Sequence, residues 1–141
     1  MDQTIRDILL GVSVTSLAFL VLLGYINLRV VQNHINPMRR AFDAESDTRI
    51  DALGKALRVT DNSWRGQTNV VHIHLITLLL IISLDSFGWL TWIFMVTTVG
   101  HTALLRVTCN HWLITSGYVS HLSEPEKEAL RVWLAKKAEG Q

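Results

Sequence analysis

No charged side chain interrupts ILLGVSVTSLAFLVLLGYINL (residues 8–28), and the same holds for residues 67–84 and 86–105. At a helical rise of about 1.5 Å per residue, the first stretch spans roughly 31 Å, which is about the thickness of the hydrocarbon core of a bilayer. The other two stretches also approach the length that a crossing requires. We therefore predict an all-α membrane protein with three transmembrane helices, of which the last two form a helical hairpin.

A short polar segment separates the second stretch from the third. Asp85-Ser-Phe-Gly88 contains turn-forming residues, and a single helix over 67–105 would reach roughly 58 Å, far more than a bilayer is thick. The predicted segments are a first transmembrane helix (1–28), a cytoplasmic helical loop (29–67), the hairpin (68–105) with its turn at 85–88, and a cytoplasmic tail (106–141).

Basic residues predict the orientation of these helices. Seven of the thirteen Lys and Arg residues lie in 29–67, five lie in 106–141, and the remaining one is Arg6. Because cytoplasmic segments carry the excess of positive charge, we expect the amino terminus outside and the carboxyl terminus in the cytoplasm, in a bacterial cytoplasmic membrane. The acidic residues near the amino terminus argue against a cleaved signal peptide. A net charge of +1 argues against nucleic acid as a partner.

Shorter helices are predicted in the loop. Pro37 suits a first helical turn, and an apolar stripe of Ile50, Leu53 and Leu57 predicts a second helix. Asp61-Asn62-Ser63 predicts a turn before the second transmembrane helix.

The tail has a clear helix signal. Ser123-Glu-Pro-Glu126 has the pattern of a capping box, and it opens a predicted amphipathic helix over 124–138. This helix suits either the bilayer surface or the helices of the loop.

Tryptophans mark the predicted membrane interfaces. They are Trp89 and Trp92 near the hairpin turn, Trp64 and Trp112 at the opposite interface, and Trp133 on the tail helix.

Histidines are the candidate cofactor ligands. His72 and His101 fall at nearly the same depth on the two helices of the hairpin, where imidazoles can ligate haem iron or relay protons. His72 and His74 point roughly 200° apart on a helix, so one of them at most can join His101. Haem b is the candidate cofactor of such a pair, and hydrogen bonding within the bundle is the alternative role. We predict no metal site, because zinc requires three or four ligands at suitable spacing.

Small residues predict where helices approach closely. Gly11, Thr15 and Ala18 share a face of the first helix, and Gly100 and Ala103 lie on the third. Such faces allow helices to associate in lipid, within one chain or between chains.

Catalysis has no support in the sequence. Cys109 stands alone, and no HExxH, Walker, GxSxG or paired-carboxylate motif is present. We therefore predict a non-enzymatic membrane protein that self-associates or joins other membrane subunits.

Three functions fit this class. The topology resembles that of three-helix phage holins, which implies permeabilisation of the membrane by assembly. The size and the histidines within the helices resemble the small membrane subunits of quinone-linked dehydrogenases, which implies a haem-binding anchor or electron-transfer subunit using His72 and His101. An accessory or assembly factor, whose loop and tail bind a cytoplasmic partner, is the third.

Overall fold

Helices account for nearly all of the chain in a computed structural model, which describes residues 2–85 and 88–140. The helices are α1 (Gln3–Val30), α2 (Asn36–Asp43), α3 (Arg49–Asp85), α4 (Trp89–Gly117) and α5 (Glu124–Glu139). A π-helical segment (Val31–Ile35) joins α1 to α2, and a 3-10 segment (Tyr118–His121) follows α4. The prediction of an all-α fold is confirmed, and the described residues contain no strand.

Three continuous helical segments are long and apolar enough to cross a membrane by length and composition. They are Gln3–Asp43, Arg49–Leu84 and Trp89–His121. The number of predicted spanning helices is therefore confirmed on this criterion, although each segment is longer than its uncharged core.

The second and third apolar stretches form separate helices. α3 ends at Asp85 and α4 begins at Trp89, so a single helix over 67–105 is excluded. Ser86 and Phe87, the centre of the predicted turn, lie outside the described residues.

The π-helical segment has a local cause. Pro37 stands near the start of α2 and has no N–H, so it cannot donate to the carbonyl of Asn33 four residues earlier. Its ring also crowds that carbonyl, and a wider turn relieves the contact. The N–H of Asn36 donates to the carbonyl of Val31, five residues back, as a π-turn requires. The helix therefore continues past residue 28, where the sequence predicted that it ends.

The predicted turn at Asp61-Asn62-Ser63 is wrong. α3 runs through these residues without interruption for 37 residues. Asp, Asn and Ser each cost less than about 0.7 kcal/mol in a helix interior. Burial of Leu53, Ala56 and Thr60 on the same helix outweighs that cost, and Asn62 remains exposed.

The described chain divides into two compact units. The first, here called the apolar unit, comprises the chain up to Ile26 together with Arg65–Val107. The second, here called the polar unit, comprises Asn27–Trp64 together with the chain from Thr108 onward. Each unit has its own buried cluster of apolar residues.

An apolar core holds the polar unit together. It consists of the following buried residues: Val30, Ile35, Met38, Leu53, Ala56, Leu122 and Leu130. At its surface the Arg49 side chain forms an ion pair with Glu126, with Nε donating to Oε1 over 2.8 Å. The predicted helix in the tail is confirmed as α5, and Glu126 Oε2 accepts hydrogen bonds from the N–H and hydroxyl of Ser123 at its start.

Candidate functional site

Buried polar side chains connect the three helices of the apolar unit. Ser16 of α1, Gln67 and His74 of α3, and His101 of α4 contact one another in its interior, and we call these four residues the histidine cluster. All four are buried, and His101 has 0 % of its surface exposed. Ionisable groups in such a position are a default candidate for function in a helix bundle that crosses a membrane.

The two imidazole rings of the cluster touch directly. The ring centroids of His74 and His101 lie 4.1 Å apart, with an angle of 44° between the planes. His74 also stacks on Phe94, with the ring centroids 5.2 Å apart and an angle of 12° between the planes. Phe19 of α1 lies 6.3 Å from the His101 ring. Aromatic neighbours therefore restrict how either imidazole can rotate.

Hydrogen bonds determine the tautomer of His74. Its Nδ1 lies 2.9 Å from the carbonyl oxygen of Val70, which can only accept, so Nδ1 carries the proton and donates. In a neutral ring Nε2 must then accept, and its partner is the hydroxyl of Ser16. Both nitrogens of His74 are thus satisfied, and the second bond ties α3 to α1.

His101 is satisfied on one side of its ring. The amide Nε2 of Gln67 donates to the carbonyl oxygen of His101 over 3.0 Å and to its Nδ1 over 3.2 Å. A neutral ring that accepts at Nδ1 carries its proton on Nε2. That Nε2 is buried and has no hydrogen-bond partner among the described residues.

Several other buried hydroxyls of the apolar unit bond within their own helices. Ser13 donates to the carbonyl of Leu9 over 2.9 Å, and Thr98 donates to that of Phe94 over 2.8 Å. These bonds satisfy the hydroxyls without linking one helix to another, whereas the bond between Ser16 and His74 does link two helices.

The predicted pairing of His72 with His101 needs correction. His72 is exposed, and the ring in contact with His101 belongs to His74. The two candidates lie roughly 200° apart around α3, so the rotation of the helix decides which one faces α4. The predicted pair was chosen from the depths of the residues along the hairpin, and the rotation of α3 about its axis was not considered.

The contact between His74 and His101 does not fit a haem held by both rings. Each bond from an imidazole nitrogen to a metal is about 2 Å long, so two opposed axial nitrogens lie about 4 Å apart with the ring bodies beyond them. Ring centroids separated by 4.1 Å leave no space for a macrocycle. Among the described residues, no group of three or more His, Cys, Asp or Glu is placed to hold a metal ion.

The small residues predicted for helix packing fall into two sets. Gly100 lies against Leu20 of α1, and an added Cβ would come within 2.5 Å of its Cδ2, so this glycine allows the helices to approach closely. Ala103 and the three small residues of α1, namely Gly11, Thr15 and Ala18, are exposed.

The predicted interfacial tryptophans also differ in their surroundings. Trp89 and Trp92 are exposed on the first turn of α4. Trp64 and Trp112, in the polar unit, stack with ring centroids 5.0 Å apart. Trp133 of α5 packs against Gly54 and donates from Nε1 to Asp51 over 2.9 Å, so it contacts α3 within the polar unit.

Ser16 and Gln67 were not predicted to be members of the cluster. Gln67 stands at the first position of an uncharged stretch, and Ser16 resembles the other serine of α1. A polar residue at such positions was a weak signal, because most polar residues there bond to their own backbone. Chemically, the cluster links three helices of the apolar unit by hydrogen bonds between polar side chains.

No protein-family model, curated protein or solved structure matches this sequence.

Proposed function

We propose that this protein is a non-enzymatic integral membrane protein that acts through association of its first helix with a helix of a second copy. We further propose that it lies in a bacterial cytoplasmic membrane with its amino terminus outside and its carboxyl terminus inside. The concentration of basic residues in 29–67 and 106–141 supports this orientation.

One observation carries the proposal. Gly11, Thr15 and Ala18 lie on one face of α1, and that face is exposed. Gly11 and Thr15 also line a groove of about 550 Å³, together with Ile73 and Thr77 of α3. A Cβ added at Gly11 would meet nothing within 4 Å, so the glycine relieves no crowding inside the chain.

Such a face allows helices to pack closely in lipid. Lipid tails are as apolar as leucine, so helices in a bilayer associate through van der Waals contact and hydrogen bonds rather than through the hydrophobic effect. Small residues allow two backbones to approach closely enough for both. An exposed face of this kind, beside a groove, suits a helix from outside the monomer.

The remaining surface of the apolar unit suits lipid. Large apolar side chains on all three helices are exposed, including Val21, Leu79 and Val96. Exposed apolar surface of this extent marks contact with a membrane or with another protein.

A pair of matched variants tests the proposal. Gly11→Leu fills the small face, whereas Gly24→Leu makes the same change about 140° away around α1. Neither added side chain begins in contact with other residues of the chain. If one interhelical contact in lipid contributes about 1–2 kcal/mol, Gly11→Leu weakens association about five- to thirtyfold.

The measurement is the mass of the complex in mild detergent, by native mass spectrometry and light scattering across a dilution series. We expect an oligomer for the unchanged protein and for Gly24→Leu, and dissociation at higher concentration for Gly11→Leu. Self-association would be contradicted if the unchanged protein were monomeric at every concentration. Equal dissociation of both variants would contradict the role of this face.

Holin-like permeabilisation is a more specific form of the same proposal. It predicts that expression in bacteria stops growth and collapses the membrane potential, and that Gly11→Leu weakens both effects. Normal growth at high expression would contradict holin-like permeabilisation. The proposal of association would then be tested by the mass measurement alone.

A further inference from the structure

Basic side chains from three separate parts of the polar unit converge on one cleft. His34 comes from the π-helical segment, Lys55 and Arg58 come from α3, and Lys137 comes from α5. The cleft has a volume of about 310 Å³, near the lower end of the range for sites that bind small molecules. Asn62 and Trp133 also line the cleft.

Helix geometry brings these residues to the cleft in two rows. Lys55, Arg58 and Asn62 are three and four residues apart, so they share one face of α3. Trp133 and Lys137 are four apart and share one face of α5. The cleft therefore depends on the packing of these two helices, and residues distant in sequence meet there.

Trp133 is held in place by two contacts with α3. Gly54 lies under the indole, and a Cβ at this position would come within 2.5 Å of Cε3. The indole Nε1 donates to Asp51 Oδ1 over 2.9 Å. The side of the cleft that carries Trp133 and Lys137 is thus positioned by close packing and by a hydrogen bond.

Positive charge at the cleft exceeds negative charge. The Nζ of Lys55 lies 2.6 Å from Asp51 Oδ2, so one carboxylate offsets one ammonium at the rim. The residues that line the cleft include no Asp or Glu. Within the described part of the chain, neither Arg58 nor Lys137 forms an ion pair within 4 Å, although Asp51 also interacts electrostatically with Lys137.

We propose that this cleft binds a phosphate monoester or diphosphate group, either free in solution or on the headgroup of a lipid. A phosphate monoester carries about −1.5 to −2 charges near pH 7, which the charges of Arg58 and Lys137 can balance. The guanidinium of Arg58 can donate two parallel hydrogen bonds to phosphate oxygens, and the ammonium of Lys137 acts as a mobile point charge. Asn62 and His34 supply further polar groups at the rim. This proposal does not depend on association through α1.

The test uses the full-length protein and two sources of phosphate. In the first arm, inorganic pyrophosphate is titrated calorimetrically into protein in phosphatidylcholine nanodiscs. In the second arm, nanodiscs contain phosphatidylcholine with phosphatidic acid, and native mass spectrometry counts the lipids that the protein retains. Saturable binding in the first arm identifies a free phosphate compound, and preferential retention of phosphatidic acid identifies a lipid headgroup.

Matched charge variants test whether binding occurs at the cleft. Loss of one charge-assisted hydrogen bond should weaken binding about tenfold, so we expect this effect for Arg58→Gln and again for Lys137→Gln. Lys136→Gln removes the same charge from the neighbouring residue, which does not line the cleft, and should weaken binding less than about twofold.

Two results would overturn the proposal. One is a lack of saturable binding in both arms. The other is equal weakening by Lys136→Gln and Lys137→Gln, which would indicate loose attraction to surface charge. Circular dichroism checks that each variant is helical, and exposed Lys137 provides a variant that does not touch the core should Arg58→Gln unfold.

Discussion

The two units of this protein differ in the polar groups that they bury and in the apolar side chains that they expose. In the apolar unit, the interior contains the histidine cluster and several hydroxyls, while large apolar side chains such as Leu80 and Val99 are exposed. In the polar unit, the interior contains Met38, Leu53 and Leu130, and charged residues cover the surface.

This difference indicates which interactions stabilise each unit. In water, burial of apolar surface provides the main favourable free energy, and the core of the polar unit is built accordingly. In lipid that contribution disappears between helices, so packing of small residues and interhelical hydrogen bonds take its place. The contrast supports the proposal that the apolar unit lies in a membrane, and it predicts that similar substitutions have different effects in the two units.

The largest expected difference concerns leucine truncation. Leu53→Ala opens a cavity in the core of the polar unit, where Leu53 is fully buried, and should cost about 2–5 kcal/mol. Leu80→Ala removes a side chain that is 59 % exposed in the apolar unit and should cost far less. Thermal unfolding of the full-length protein in detergent, followed by circular dichroism, compares the two. Equal losses of stability for the two variants would contradict this difference between the units.

Glycine substitution on α3 should have opposite effects in the two units. Gly54→Ala drives a methyl group into Trp133 and should destabilise the polar unit by about 1–3 kcal/mol. Gly66→Ala meets nothing within 4 Å and should stabilise the helix by up to about 1 kcal/mol. The same unfolding experiment gives both values. A stabilising Gly54→Ala would show that Trp133 does not need this close approach.

A smaller effect is expected from the bond between two helices in the histidine cluster. Ser16→Ala removes the hydrogen-bond partner of His74 Nε2 and should cost about 0.6 kcal/mol, the average for such bonds in lipid. Ser13→Ala is the control, because that hydroxyl bonds to the backbone of its own helix. Reversible unfolding in mixed detergent micelles measures both variants. A cost for Ser13→Ala that equals the cost for Ser16→Ala would contradict the link between helices.

The smallest effect should be a dependence of the polar unit on acid, because Glu126 is partly exposed and solvent weakens the interactions of its charge. Hydrogen bonds from the Ser123 hydroxyl and N–H, together with Arg49, lower the pKa of Glu126 from 4.5 to about 2. Because the pKa is lower in the folded state, the stabilisation is present above about pH 4.5 and is lost as the pH falls toward 2. Unfolding midpoints measured across this range should fall less for Glu126→Gln than for the unchanged protein. Parallel pH profiles for the two proteins would contradict this role of Glu126.

Much of the secondary structure could be predicted, because its causes are local. The uncharged stretches, the proline at the start of α2 and the capping pattern at Ser123 act within a few residues. Helix ends were less predictable. Asp61-Asn62-Ser63 has the composition of a turn, yet α3 continues through it because packing of neighbouring turns outweighs a small propensity cost.

The sequence by itself determined that the chain is helical, that three helices are apolar enough to span a membrane, and where α5 begins. These properties follow from desolvation and hydrogen bonding along one segment at a time. Tertiary structure alone decided that His74 rather than His72 meets His101, since that choice depends on the rotation of one helix against another. It also brought His34, Arg58 and Lys137 to one cleft, because residues so far apart in sequence meet only through packing of the polar unit.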